Sequence, residues 1–170
     1  MASDHGKQVT LVAELDLLHS LPRKMHAELK DITIQLLRNA VTHGIESAPE
    51  RQEQSKPAAG SIYVALKPSE AGEYELTLRD DGRGLSPPAI RAALLRSGRY
   101  SGAQLAELDD RQVVMKIFEP GFSTAQEVSR DAGHGVGMDV VKHRIEQLGA
   151  RLRISSRTRE FTQFSIQFAI

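Results

Sequence analysis

Between residues 25 and 40 the apolar positions Met25, Leu29, Ile32, Leu36 and Ala40 recur at spacings of three and four. That period is one buried face of an α-helix. Ser20-Leu21-Pro22 opens it, and Gly44, after His43, is its stop signal. Ahead of it, residues 7–15 (KQVTLVAEL) alternate and predict a first strand. Residues 47–60 (SAPERQEQSKPAAG) are polar, with Pro49, Pro57 and Gly60, and predict a surface loop too short to separate domains. Residues 61–67 and 74–80 predict two strands joined by the turn SEAG, an antiparallel hairpin. Ser86-Pro87-Pro88 starts a helix that runs to about Arg96 and stops at Gly98. Residues 98–109 read as irregular, and Asp110–Phe118 as a short helix ended by Pro120. Residues 120–137 are rich in Gly, Ser and Thr and read as a mobile loop before a helix from Val136 to Leu148. The chain closes with a hairpin of residues 151–157 and 161–170, in which Phe161, Ile166 and Phe168 are expected to face a sheet core. The sum is α+β, a two-layer sandwich with a sheet and helices on one face.

The 170 residues fit one domain, with residues 1–6 as a tail and 7–170 as the folded unit. With 22 Lys+Arg against 22 Asp+Glu, the surface has no overall field to attract nucleic acid. The absence of Cys excludes disulfides, thiolate nucleophiles and Cys-ligated zinc. No apolar stretch approaches a membrane span, and the N-terminus lacks a signal-peptide pattern. Neither nucleic-acid binding nor membrane insertion is expected, and the simplest location is cytoplasmic.

Three places carry candidate chemistry. Gly133-His134-Gly135-Val136-Gly137-Met138-Asp139 precedes a predicted helix. Closely spaced glycines let a backbone approach phosphate oxygens, and a helix N-terminus offers N–H groups to them. The rival reading is a flexible hinge. The spacing is not that of a dinucleotide fingerprint, which requires G-x-G-x-x-G directly after a strand. Asp80-Asp81-Gly82-Arg83-Gly84 ends a strand. It is either a tight turn with solvated acids or a carboxylate, Asp80, placed to accept from the exocyclic amine of adenine and to reject the carbonyl of guanine. Gln35, Asn39 and His43 stand four residues apart on the polar face of the long helix. They form either a solvated face or a site in which Asn39 offers a carbonyl oxygen to Mg²⁺, which keeps several waters and needs few protein ligands, while His43 reaches phosphate. His134 and His143 do not complete a zinc site with His43 by spacing.

The order of these pieces is more specific than any one of them. Residues 36–46 (LLRNAVTHGIE) resemble the N box of the chemotaxis-type, CheA-like histidine kinases, and 80–84 (DDGRG) resemble their first glycine box. Residues 117–125 (IFEPGFSTA) resemble their F box, and 133–141 (GHGVGMDVV) their second glycine box. The resemblance covers about residues 7–170 and implies the Bergerat ATP-binding fold shared with gyrase, heat-shock protein 90 and MutL. It implies ATP and Mg²⁺ as ligands, with Asp80 on adenine, Gly82 and Gly84 shaping that pocket, and Asn39 on the metal. His43 takes the place of a phosphate-contacting histidine. Gly133, His134, Gly135, Val136, Gly137 and Met138 would cradle the triphosphate with Ser123 and Thr124, and 98–132 would be an ATP lid that changes order with nucleotide.

The implied activity is transfer of the γ-phosphoryl group of ATP to a histidine on a separate phosphotransfer domain, in the same parent protein or another chain, with a response regulator downstream. The chain departs from the family where chemotaxis kinases carry His and many relatives Glu, four residues before the N-box Asn; here stands Gln35. Gln orients a group by hydrogen bonding and takes up no proton near neutral pH. Thr42 likewise replaces the family's Asp. These departures keep open a degenerate module that binds ATP and signals by docking. A serine kinase of the stress-response type shares the fold without the long F-box match. None of the six histidines lies in a recognisable acceptor helix, so self-phosphorylation is not expected. The phosphotransfer, dimerisation and coupling domains of chemotaxis kinases do not fit in this length, which implies an excised catalytic domain or a stand-alone module.

Overall fold

The computed structural model describes residues 6–122 and 137–170. They divide into two compact units, residues 6–84 with 144–170, and residues 85–122 with 137–143.

The first unit is built on a five-stranded mixed sheet in the order β1-β2-β3-β5-β4. The strands are β1 (Val9–Glu14), β2 (Gly60–Pro68), β3 (Tyr74–Asp80), β4 (Arg151–Arg157) and β5 (Phe161–Phe168). β1 runs parallel to β2, and the other pairs are antiparallel. Strand alternation puts one row of side chains into the core. Val64, Leu78 and Phe164 align across the sheet, as do Leu66, Leu76 and Ile166, and all six are buried. The next row outward, Ile62, Asp80 and Thr162, is also buried. A carboxylate therefore ends an apolar row. Helix α1 (Arg23–Asn39) packs on this unit with Leu29, Ile32 and Leu36 buried. Each such side chain contributes about 1.5–3 kcal/mol by leaving water. Arg144 Nη1, in the last turn of α6 (Met138–Gln147), donates to Glu28 and Asp31 of α1, 3.0 Å from each.

Phe161 does not share the core face with Ile166 and Phe168. A strand has a period of two, so an odd position cannot face the same way as even ones. Phe161 is half-buried on the opposite face under the Arg79 guanidinium, 3.8 Å from the ring centre, and Phe164 fills the core instead.

Residues 47–60 are not wholly a loop. They contain helix α2 (Ala48–Glu53), opened by a capping box between Ser47 and Glu50 with proline in its first turn. The long helix ends at Asn39, and residues Ala40–Gly44 widen into a π-turn.

In the second unit, α3 (Pro87–Arg96) is capped by the Ser86 hydroxyl, which accepts from the Ala89 N–H. The stretch 98–109 holds a helix, α4 (Gly102–Ala106), because Ser101 and Gln104 form a capping box that the irregular reading overlooked. α5 (Asp110–Met115) follows, capped by Asp109, and continues as a 3₁₀ turn, Lys116–Phe118. Arg91 of α3 donates to the Leu105 and Leu108 carbonyls and ties these short helices together.

Candidate functional site

Asp80 lies at the end of β3 and is 2% exposed. It faces inward because strand alternation continues from Leu76 and Leu78. The Gly82 N–H donates to its Oδ1 at 3.0 Å. Burial is the main cause that raises its pKa to about 6, with the neighbouring Asp81 and Glu46 pushing the same way. The Gly82 N–H and the Lys56 ammonium oppose the rise. A buried acid at the end of a strand, with its ionisation moved toward neutrality, marks a functional position more than a solvated turn.

Two glycines let backbone pack closely against it. A Cβ on Gly44 would lie 3.1 Å from Asp80 Oδ1, and one on Gly82 would lie 2.7 Å from it and collide with the Gly44 carbonyl. The two loops are joined there by the Arg83 N–H, which donates to the Gly44 carbonyl at 2.9 Å. The π-turn at the end of α1 and the acidic turn after β3 thus meet at Asp80 with no side chain between them. Gly84 serves a different purpose. Its φ is +65°, and a Cβ there would collide with the Arg157 carbonyl, so it lets the turn pass under the β4–β5 hairpin.

Gln35 and Asn39 are half-buried on α1 one turn apart. His43 is exposed and sits in the π-turn, past the end of the α-helix whose face it was expected to share. Gly137 is exposed, and Met138 is the first residue of α6. Ser123, Thr124, Gly133, His134, Gly135 and Val136 lie outside the described residues, as does the lid from 123 to 132.

Sequence reasoning missed the residues that hold this site in place. Arg51 is fully buried, Glu46 is 2% exposed, and the two pair at 3.0 Å. Arg51 also donates to the Asp81 carboxylate at 2.9 Å and to the Pro57 carbonyl at 2.6 Å. Lys56 pairs with Glu46 at 2.8 Å and donates to the carbonyls of Asp81 and Gly82 at 2.9 and 2.8 Å. Asp81 Oδ1 accepts from the Ser61 N–H at 2.8 Å. On the other side, Lys7 Nζ donates to the Val41 and Thr42 carbonyls at 2.9 and 2.7 Å. It satisfies groups that the π-turn leaves open and places a cation at a helix C-terminus. Burial lowers its pKa, with the Arg83 cation adding to the effect.

A mixed sheet of this order with a buried acid at the end of β3 can be set beside known proteins. The chain belongs to the family of histidine kinase-, DNA gyrase B-, and HSP90-like ATPases, which it matches over residues 27–170. It is thus an ATPase domain of the histidine-kinase type, with ATP as its nucleotide. It is 39% identical over 158 residues to the gliding motility regulatory protein of Myxococcus xanthus, a match covering 92% of this chain and 20% of that protein. It is 34% identical over 168 residues to the chemotaxis protein CheA of Bacillus subtilis (strain 168), covering 96% and 25%. The chain therefore spans a fifth to a quarter of these relatives. Its fold is like that of full-length ShkA in complex with AMPPNP, with a TM-score of 0.57 at 17% identity, covering 98% of this chain and 26% of that one. The expected α+β fold of histidine-kinase type is borne out. Among the described residues no helix is long and apolar enough to cross a membrane.

Proposed function

We propose that this chain is the ATP-binding catalytic domain of a two-component histidine kinase. In this reading Asp80 accepts from the exocyclic amine of adenine, and the γ-phosphoryl group of ATP goes to a histidine on a separate phosphotransfer domain. The observation that carries the reading is the buried Asp80 carboxylate, held by the Gly82 N–H and flanked by Gly44 and Gly82, where an added methyl group would press on the carboxylate or collide with the Gly44 carbonyl. A fixed acceptor beside side-chain-free backbone fits a flat base that carries an amine donor. Guanine presents a carbonyl at that edge, and the buried carboxylate would repel it.

The remaining roles follow the same reading. Gly84 shapes the turn that carries the pocket. Asn39 offers an oxygen to Mg²⁺; no cluster of three metal-binding side chains exists among the described residues, so phosphate oxygens and water would supply the other ligands. His43, exposed at the helix end, is the group that contacts phosphate. Gln35, one turn before Asn39, orients the reacting group by hydrogen bonding. Ser123, Thr124 and the 133–138 segment contact the triphosphate, and 98–132 acts as the lid of a single domain spanning 7–170. Bound ATP supplies the phosphoryl group, and the protein contributes positioning and charge stabilisation, which dominate such transfers.

The CheA and gliding-motility relatives favour a chemotaxis-like phosphorelay in the cytoplasm, with a response regulator downstream of the phosphotransfer domain. Gln35 favours a second reading, an ATP-binding module that signals by docking. The pocket is tested by calorimetry with ADP and GDP. ADP is expected to bind at least tenfold more tightly, and equal affinities would reject the adenine assignment.

A further inference from the structure

Four charges cluster around the turn that follows β3: Glu46 and Arg51 are buried, and Lys56 and Asp81 are half-buried beside them. Their signs cancel. Such a cluster is a weak source of stability, because well-packed apolar side chains of the same volume hold a fold as well or better. Apolar side chains cannot orient a peptide group, and orienting one is what these cations do. Lys56 Nζ donates to the Asp81 carbonyl at 2.9 Å, and Arg51 Nη1 donates to the same oxygen at 3.3 Å. Lys56 also holds the next carbonyl, that of Gly82, at 2.8 Å.

The Asp81 carbonyl and the Gly82 N–H belong to one peptide unit. In a planar trans peptide they point in opposite directions. Two cations on the oxygen therefore aim the N–H the other way, and that N–H donates to Asp80 Oδ1 at 3.0 Å. A residue with no Cβ is the easiest in the chain to reorient, so the position needs an external hold. Glu46 supplies the counter-charge that lets Arg51 and Lys56 sit side by side, accepting from one at 3.0 Å and the other at 2.8 Å. Asp81 closes the cluster onto β2 through the Ser61 N–H.

We infer that Lys56 and Arg51 are positioning residues for nucleotide recognition, which act through the Asp81–Gly82 peptide to fix the Asp80 carboxylate in the orientation that reads the base. The inference rests on the assignment of Asp80 to adenine. It gives helix α2 and the segment after it a task in binding that is exerted through the Asp81–Gly82 peptide. The effect falls on the base and spares the phosphates.

The test is a double-mutant cycle in ADP affinity with Lys56→Met and Asp80→Asn, run alongside inorganic tripolyphosphate as a base-free probe. Lys56→Met is expected to weaken ADP about tenfold, the scale of one charge-linked hydrogen bond. It should leave tripolyphosphate binding unchanged, and should cost little further in the Asp80→Asn background, because coupled residues are not additive. Equal losses in both backgrounds overturn the positioning role while leaving Asp80 on adenine. Unchanged ADP affinity in Asp80→Asn overturns the adenine assignment and the inference with it. Amide hydrogen exchange without nucleotide gives an independent reading. In Lys56→Met the Gly82 amide should lose protection while Leu76 and Leu78 keep theirs, and undiminished Gly82 protection contradicts the relay. Should that variant not fold, Lys56→Gln keeps a donor without the charge. It is expected to shift ADP affinity and Gly82 exchange the same way by about threefold, and no shift in either overturns the inference.

Discussion

Replacing Asp80 with Asn should make the nucleotide-free protein more stable and a poorer binder. The wild-type carboxyl moves from 3.8 to about 6, mainly through burial. About two units correspond to about 3 kcal/mol by which the folded state disfavours the charged form. The sign follows from proton linkage. Between pH 4 and 6 the folded protein holds the Asp80 proton more tightly than the unfolded chain does. Stability therefore falls as pH rises through this window, and the full cost stands above pH 6. Asn removes the charge and keeps an oxygen for the Gly82 N–H. The charge-assisted share of that hydrogen bond, about 1 kcal/mol, is lost. The net expectation at pH 7 is a gain of about 1–2 kcal/mol, with each kcal/mol worth about 2–4 °C in a domain of this size. ADP affinity should fall by about 10–150-fold, the equivalent of a 1.5–3 kcal/mol charged hydrogen bond. The assay is thermal melting of both proteins at pH 7 and 4.5, with calorimetry of ADP binding at pH 7. The melting difference should shrink at pH 4.5, where wild-type Asp80 is itself protonated. A variant that melts below wild type by the same margin at both pH values would refute the burial argument.

Gly82→Ala should abolish ADP binding and lower stability by at least about 1–3 kcal/mol, the usual cost of overpacking, since the new methyl group meets the Gly44 carbonyl and Asp80 Oδ1; chemical denaturation with calorimetry checks both. Lys7→Met should lose about 1–3 kcal/mol through the two carbonyls of the π-turn left without their cation, read as a lower urea midpoint. Gln35→His should raise phosphotransfer with little change in ATP affinity, because an orienting or proton-accepting group at that position acts on the transition state more than on ground-state binding; single-turnover transfer by wild type, Gln35→His and Gln35→Ala checks it, and a fall in rate in Gln35→His would reject the role.

Much of this site can be read from single residues. Asp80 continues the alternation of Leu76 and Leu78, so its inward direction follows from parity, and the glycines after it announce a close approach. The same parity rule excludes Phe161 from the face of Ile166 and Phe168, since an odd position and even ones lie on opposite faces of a strand. The charged cluster was hidden for a physical reason. Arg51 and Lys56 stand in a polar, proline-containing stretch, and lone cations in such a stretch are solvated. Arg51 is buried and Lys56 half-buried there because Glu46, just before the stretch, and Asp81, thirty residues beyond Arg51, neutralise them. Helix α2 did carry a local signal, Ser47 and Glu50 three residues apart with Pro49 between them, which the loop-like composition masked. Nothing in the helical spacing of Gln35, Asn39 and His43 signals the π-turn, since it is set by the Gly44 carbonyl reaching Arg83 and the Lys7 ammonium reaching Val41 and Thr42.

The most direct test of the account is incubation of the chain with γ-labelled ATP and Mg²⁺, with and without a separately purified histidine-phosphotransfer domain. The account predicts label on the added domain alone, lost in acid and kept in base as phosphohistidine is, and none on the chain itself. Nucleotide binding with no label on any supplied phosphotransfer domain, in wild type and Gln35→His alike, would contradict the assignment as a histidine kinase and favour the docking module.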